Sequence, residues 1–401
     1  MPNLSAHPPE QPLRVMLFTD TLADVNGVSR FVRNIAAAAR DSGREFRAVT
    51  STVFAMPPGE NLVSLPPRVS MALPGYPDLQ LALPPFRRLI TLAREFCPHV
   101  IHVSTPGPVG IAGRLAARTL RVPLVGVYHT DFPAYVEHLF GHPSLTFFAE
   151  SFMRRFYRGF SVVFTRSVDY ASRVRALGLP ESRVLPLRPG VRTDDFHPRF
   201  RAQPAPDCLA QTRPMLRVLY AGRVSIEKNL PLLARAWHAA DAALLARGVA
   251  AELVVVGDGP YRAEFERALA GTHARFTGFL NGQPLSRAYA HADLFVFPSA
   301  TDTLGQVVME AQASGVPVLV SDVGGPKEVA LPGVTGLMLP ASDHHAWARA
   351  ITDLAAGRAR REQMGRAAHA HMAAFDMRGT FEHFWSVHER VAAELTQPRP
   401  R

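Results

Sequence analysis

The sequence predicts an α/β protein made of two doubly wound, Rossmann-like domains that face each other across a cleft. Three observations lead there. The chain has 401 residues, 47% of them hydrophobic, which suffices for two cores of ordinary domain size. Short apolar, β-rich runs alternate with helical patterns, as in a parallel sheet covered by helices on both faces. The alternation stops in a Pro-, Arg- and Asp-rich stretch after residue 183 and then starts again.

Taken in order, RVMLFT (14–19) reads as the first strand, and a loop to Val28 leads into a helix with Ser29 as its N-cap. FRAVTS (46–51), HVIHVS (99–104), PLVGVYH (123–129) and SVVFTRS (161–167) are the next strands. Residues 53–85 are Pro-rich and read as a crossing loop that holds a short strand. After the break come LRVLYAG (216–222), a helix from about Leu230, AELVVVGDG (251–259), a helix from Tyr261, then RFTGF, LFVFPS and PVLVS. Residues 376–395 form one long helix carrying Phe381, Phe384, Trp385 and Val391. The expected division is a tail over 1–12, a first domain over 13–195, a linker over 196–213, a second domain over 214–375 and a closing helix over 376–401.

Composition removes several classes of function. No run of about 18 apolar residues is present, so no transmembrane helix is expected. The opening MPNLSAHPPEQPL lacks the basic start and apolar stretch of a signal peptide. The two cysteines, Cys97 and Cys208, match no metal spacing and suit a reducing, cytoplasmic setting. The net charge of +10 suits a phosphorylated substrate, an anionic membrane or nucleic acid. Nucleic acid fits least, because no basic tract is interleaved with aromatics.

In open α/β sheets ligands sit beyond the carboxyl ends of the strands, so the loops there are the places to look. Gly27, in TDTLADVNGVSR (19–30), precedes a helix and either contacts a phosphate or makes an ordinary turn. In YHTDFPAY, His129 and Asp131 follow a strand; His129 either bonds a sugar hydroxyl or is satisfied at the strand end. GRVSIEKN places Arg223 and Lys228 in one loop, and two cations there suit a diphosphate. Lys228 stands out, since only it and Lys327 are lysines, although Glu227 offers it a simple ion pair. In VVVGDGPYR, Gly257 either lets a ligand approach or serves the turn, and Pro260 suits a helix start. In SDVGGPKEV, Lys327 and Glu328 read as a surface ion pair beside a glycine turn.

The stretch SATDTLGQVVMEAQASGVPVLVS (299–321) poses the sharpest question. Asp302 opens a turn, and Glu310 lies among Val307, Val308, Met309 and Ala311. A carboxylate buried without a partner costs several kcal/mol. A diphosphate on the helix N-terminus, held by the amides of Thr303, Leu304 and Gly305, with polyols at both ends for the two acids, satisfies the whole set. A nucleotide sugar is such a molecule. The other reading pairs Glu310 with an arginine and makes Asp302 a helix cap.

GRVSIEKN, VVVGDGP, GFL (278–280) and above all FPSATDTLGQVVMEAQASGVPVLVSDVGGPKEVA with GVTGLML resemble a retaining glycosyltransferase of family 4, of the GT-B fold, and the likeness runs over nearly the whole chain. The acid-x7-acid element is Asp302 and Glu310, with Asp where the family usually has Glu. The Gly-Gly pair usual in the first loop is Asn26-Gly27. The resemblance implies transfer of a hexose from a UDP- or GDP-hexose to an acceptor hydroxyl. It implies that Arg223 and Lys228 neutralise the departing diphosphate and that Glu310 binds the ribose hydroxyls. The Phe279–Leu280 backbone would edge the base, and Asp302 with the 303–305 amides would hold sugar hydroxyls and phosphate. His129 would touch the donor sugar, with Gly27 and Gly257 along the donor. The last helix would cross back to the first domain. Neither cofactor nor metal is implied, and retention would follow from front-face attack, the acceptor proton passing to a leaving phosphate oxygen.

Within the family, YPDLQLALPP, VYHTDFPAYV and DTLGQVVMEAQASG look most like the bacterial branch that glycosylates diacylglycerol or phosphoinositide-type lipids. LTFFAESFMRRFYRGF (145–160) either lies on a bilayer, with Arg154, Arg155 and Arg158 toward anionic lipid, or is an ordinary core helix with a solvated basic side. The expected setting is cytoplasmic, peripheral on the inner face of the membrane. A soluble glycan acceptor, a nucleotide-sugar epimerase and a non-catalytic sugar-nucleotide sensor are the alternatives.

Overall fold

A computed structural model describes residues 12–24, 27–73, 76–129, 132, 142–166, 168–211 and 214–396. Asn26, Asp131 and all of the expected tail except Pro12 lie outside the described residues. The chain divides into one unit of Met1–Arg188 with Arg378–Arg401 and another of Pro189–Met377.

The first unit holds a seven-stranded sheet. Its strands are β1 (Arg14–Phe18), β2 (Glu45–Thr50), β3 (Leu62–Ser64), β6 (Val100–Val103), β7 (Leu124–Tyr128), β8 (Val162–Thr165) and β9 (Val184–Pro186). They run in the order β3-β2-β1-β6-β7-β8-β9, and every pair is parallel. Helices α1 (Gly27–Asp41), α2 (Phe86–Phe96), α3 (Pro108–Leu120), α4 (Pro143–Tyr157) and α5 (Val168–Ala176) connect them. Most residues of β1, β6, β7 and β8 are buried, which is why these strands read as unbroken apolar runs rather than as alternation.

The stretch 53–85 carries more strand than expected. β3 extends the sheet edge, and β4 (Val69–Leu73) pairs antiparallel with β5 (Tyr76–Leu83) as a separate ribbon. Ser29 is not the N-cap of the first helix. α1 begins at Gly27, and Ser29 is buried inside its first turn with its hydroxyl 2.8 Å from that of Thr21.

The second unit repeats the architecture. β10 (Leu216–Ala221), β11 (Ala251–Val256), β12 (Ala274–Gly278), β13 (Leu294–Phe297), β14 (Val318–Ser321) and β15 (Gly336–Leu339) form a parallel sheet in the order β12-β11-β10-β13-β14-β15. α6 (Leu230–Ala246), α7 (Arg262–Ala268), α8 (Gly282–Ala290), α9 (Gln306–Ala313), α10 (His344–Ala356) and α11 (Arg358–Met372) belong to it. The chain enters this unit at Pro189, ahead of the stretch expected as a linker. Within 196–213, Phe196 and Leu209 are buried in the second core, so that stretch packs there rather than bridging.

The last helix, α12 (Met377–Thr396), belongs to the first unit from Arg378 onward. Phe381, Phe384, Trp385, Val387 and Val391 are buried, and Phe384 meets Phe31, Phe46 and Phe164 edge-on or stacked. Arg44 also grips Glu382 through two bonds of 3.0 and 2.8 Å. An exposed ion pair contributes about 1 kcal/mol at most, whereas each fully buried aromatic contributes about 2–3, so apolar burial holds the helix.

Candidate functional site

Strands β10 and β13 are neighbours although about seventy residues separate them, and the chain fans out to opposite sides from this pair. A crevice opens at the carboxyl ends of two strands that lead away from each other in this manner. The loops Gly222–Asn229 and Pro298–Gly305 border it.

The loops here are packed on their neighbours by backbone contacts that admit no side chain. Gly257 has φ +131°, and a Cβ on it would lie 1.9 Å from the Gly222 carbonyl oxygen. Its N–H donates to Gly278 O at 2.9 Å. The Gly325 N–H donates to Asp302 O at 2.7 Å, and a Cβ on Gly325 would lie 2.2 Å from the Thr303 backbone. Close packing thus accounts for Gly257, and the SDVGGPKEV turn is a buttress beneath the 302–305 loop. Thr301 Oγ1 donates to Glu227 O at 3.2 Å, and Asn229 donates to Ala341 O at 2.8 Å.

On this base the charged groups converge. Lys228 Nζ lies 2.8 Å from Asp302 Oδ2, with both side chains partly exposed. Its partner is therefore Asp302 across the crevice, not the adjacent Glu227, whose Oε2 is buried without a hydrogen bond among the described residues. Burial raises the Tyr220 phenol well above its usual value, reinforced by Asp302 and Glu227, so the hydroxyl stays protonated and donates to Arg223 O at 2.8 Å. The Arg223 guanidinium has no hydrogen-bond or ion-pair partner among the described residues. Asp302 does not cap the helix: Gly305 occupies the N-cap position of α9 at φ 77°, with no side-chain cap. The N–H groups of Thr303, Leu304 and Gly305 have no partner among the described residues. Glu310, in the second turn of α9, is 1% exposed and accepts a 3.0 Å bond from the Tyr289 hydroxyl of α8. After β12, Phe279 is exposed while Leu280 packs partly on the core.

The other two sequence candidates lie in the first unit. Gly27 opens α1, and a Cβ there would meet nothing within 4 Å, so packing imposes no glycine. Asp20, in the same loop, accepts from Val109 N at 2.7 Å and Thr105 Oγ1 at 2.6 Å, which pins the loop to α3. His129 lies one residue beyond β7, is 6% exposed, and meets Phe31 edge-on at 5.3 Å. Burial, aided by Arg166, holds its pKa well below the usual value, so the ring is neutral. Neither ring nitrogen has a hydrogen-bond partner among the described residues. Tyr220, Tyr289 and Arg166 were not singled out by the sequence; Arg166 sits one residue past its strand, as His129 does, and that shared position is the signal that would have found it.

Among solved structures, the sucrose-phosphate synthase of Thermosynechococcus elongatus superposes with a TM-score of 0.74 at 20% identity, over 96% of this chain and 100% of that one. HepE of Anabaena, solved in complex with UDP and glucose, gives 0.72 at 18% identity over 94% and 99%. These likenesses define the class: the fold is GT-B. Two family models match, Glycosyltransferase Family 4 over residues 25–195 and Glycosyl transferases group 1 over 216–356. A GDP-mannose-dependent alpha-mannosyltransferase of Mycobacterium tuberculosis is 33% identical over 88% of this chain and 93% of its own length. The sulfoquinovosyl transferase SQD2 of Arabidopsis thaliana is 31% identical over 92% and 72%. An alpha-monoglucosyldiacylglycerol synthase of Streptococcus pneumoniae is 26% identical over 77% and 70%. The chain belongs to glycosyltransferase family 4, and it is a glycosyltransferase.

Proposed function

We propose that this enzyme moves a hexose from a UDP- or GDP-hexose to a hydroxyl of a membrane lipid, with retention of anomeric configuration. The observation that carries the reading is the placement, in the two loops that border the β10/β13 crevice, of Arg223, of Lys228 paired with Asp302, and of the three open amides of residues 303–305. Fixed donors and cations aimed at a departing diphosphate stabilise the charge that develops as the glycosidic bond breaks. Arg223 offers a planar fork to the phosphate oxygens, and Lys228 a point charge that Asp302 holds in place. Tyr289 fixes the Glu310 carboxylate so that it accepts from the ribose hydroxyls, and the Phe279–Leu280 backbone edges the base. Asp302 accepts from sugar hydroxyls, and His129, neutral and unpartnered, bonds a further substrate hydroxyl. The acceptor hydroxyl attacks from the face the diphosphate leaves and gives its proton to a phosphate oxygen. With charge carried by side chains and amides, turnover needs no divalent cation and survives chelation.

The lipid acceptor is supported by the name of the monoglucosyldiacylglycerol synthase relative and by α4. α4 buries Ala149, Met153, Phe156 and Tyr157. Its other side exposes Leu145, Phe147, Phe148 and Phe152, with Phe147 and Phe148 65% and 68% exposed, and Arg154 and Arg155 in its last turn. The helix thus has both a core face and a face suited to an anionic bilayer surface. No helix among the described residues is long and apolar enough to cross a membrane. We place the enzyme on the inner face of the cytoplasmic membrane.

The test incubates the protein with UDP- and GDP-hexoses and a lipid extract, and mass spectrometry follows nucleotide release and a hexose-shifted lipid. Arg223→Ala and Lys228→Ala should each lower kcat about a hundred-fold or more. Wild-type rates in both variants would overturn the reading.

A further inference from the structure

Beyond the donor crevice, the first unit contains a cation with no anion among the described residues. β7 and β8 are in parallel register, Tyr128 opposite Thr165, so the next residue of each strand, His129 and Arg166, stand side by side at the carboxyl edge. Both pack on the same ring: Phe31 of α1 lies edge-on to His129 at 5.3 Å and under the Arg166 guanidinium at 5.2 Å. Arg166 makes no hydrogen bond or ion pair among the described residues. Burial lowers its pKa to about 10, so it remains charged at neutral pH. A partly buried cation without a counter-charge is costly, and a cation–π contact of about 1–2 kcal/mol offsets only part of that. Arg166 is half-buried, so part of the residue faces solvent. Beside it, the neutral imidazole has one N–H and one lone pair with no partner among the described residues.

We propose that Arg166 and His129 form an acid-recognising subsite, in which the guanidinium takes an oxyanion of the substrate and the imidazole takes a neighbouring hydroxyl. The oxyanion is a carboxylate, sulfonate or phosphate, all of which match the guanidinium fork. A sugar acidic at C6 and a phosphorylated polyol headgroup both present an oxyanion beside a hydroxyl. The first would arrive on the donor and the second on the acceptor. The subsite deepens the proposed function, in which His129 already faces a substrate hydroxyl.

The experiment uses the full chain as wild type, Arg166→Gln and Arg166→Lys. Calorimetry measures binding of sulfate, glucuronate and myo-inositol 1-phosphate. Kinetics compare UDP-glucuronate and UDP-sulfoquinovose with UDP-glucose and GDP-mannose, and phosphatidylinositol with diacylglycerol. Arg166→Gln should raise KM for the acidic partner about ten-fold or more, leave the neutral partners within about two-fold, and leave the melting temperature unchanged or higher. Arg166→Lys should recover part of the loss. A donor-side effect assigns the acid to the sugar and an acceptor-side effect to the headgroup. The subsite is overturned if Arg166→Gln leaves every acidic partner unaffected, or if wild type binds none of the three anions and prefers a wholly neutral substrate pair. Should no pair be turned over at all, the transferase reading fails, and anion binding lost in Arg166→Gln still sustains the subsite.

Discussion

Acid should loosen the first unit through the buried histidine pair that seats its last helix. His388 of α12 donates from Nδ1 to Phe384 O at 2.7 Å, which leaves Nε2 as acceptor for the Nδ1–H of His102 in β6 at 3.0 Å. His102 Nε2 is then unprotonated, and it is buried with no partner among the described residues. Any further proton must sit in apolar surroundings or against another N–H. Burial lowers the His388 pKa to about 4, and burial with His388 and His129 nearby holds His102 well below the usual value. The unfolded chain, with histidines near 6.5, takes up protons first as the pH falls. The stabilisation is therefore complete above about pH 6.5 and is lost progressively toward about pH 4. At 1.36 kcal/mol per pKa unit, His388 alone forfeits about 2 kcal/mol at pH 5 and roughly 3 at pH 4. Denaturant titrations at about pH 7.5 and pH 5, followed by Trp385 fluorescence, measure this against a His102→Phe/His388→Leu double variant. The wild type should lose about 2 kcal/mol more than the variant between the two conditions. Equal losses in the two proteins would refute the assignment to this pair.

Three further outcomes are expected. Gly257→Ala forces a Cβ to within 1.9 Å of the Gly222 carbonyl at φ +131°, and should lower the melting temperature by about 5 °C or more; an unchanged melting curve would contradict the backbone lock. Tyr289→Phe removes the bond to Glu310 and should raise the donor KM about ten-fold with kcat within about two-fold, measured by steady-state kinetics; an unaltered KM would remove Glu310 from the donor site. Phe147→Ser with Phe148→Ser should weaken sedimentation with anionic vesicles about ten-fold or more while the fold by circular dichroism stays intact; undiminished binding would leave α4 without a membrane role.

The parallel strands were legible because their residues are buried on both faces and so read as apolar runs, as in VVFT of β8 and LFVF of β13. The β4–β5 ribbon was not, because it pairs antiparallel outside both parallel sheets and is interrupted by prolines. β9 and β15 have three and four residues, too few to show a period. Ser29 looked like a cap because the residue type is right, but its hydroxyl had a tertiary partner in Thr21. Arg223 and Lys228 were marked as candidates by loop position and residue type. Tyr289 was not, since only the packing of α8 against α9 brings it to Glu310, 21 residues on. Arg166 carried only the signal of its place just past a strand, easily lost in a chain whose 44 lysines and arginines are nearly all arginine; its lack of a counter-charge among the described residues is visible in the structure alone.

The Lys228–Asp302 pair shows why sequence chemistry and loop packing have to be read together. A partly exposed ion pair contributes at most about 1 kcal/mol, so stability does not explain it. Position does. Asp302 is held through its carbonyl by the Gly325 N–H, and Glu227, next to Lys228, is held through its carbonyl by Thr301. The Asp302 loop is thus tied to the 322–328 turn by a backbone bond, and to the Lys228 loop by the Thr301 hydroxyl as well as by charge. Gly257 against Gly222 and Gly325 against Thr303 bring backbone against backbone where any side chain would collide. The glycines set the spacing of the loops, the loops aim Lys228 at Asp302, and the open amides of 303–305 follow directly in sequence. A diphosphate arriving there meets donors that have already lost their freedom, so the ordering cost falls on folding rather than on binding, which is what makes fixed charges effective in catalysis.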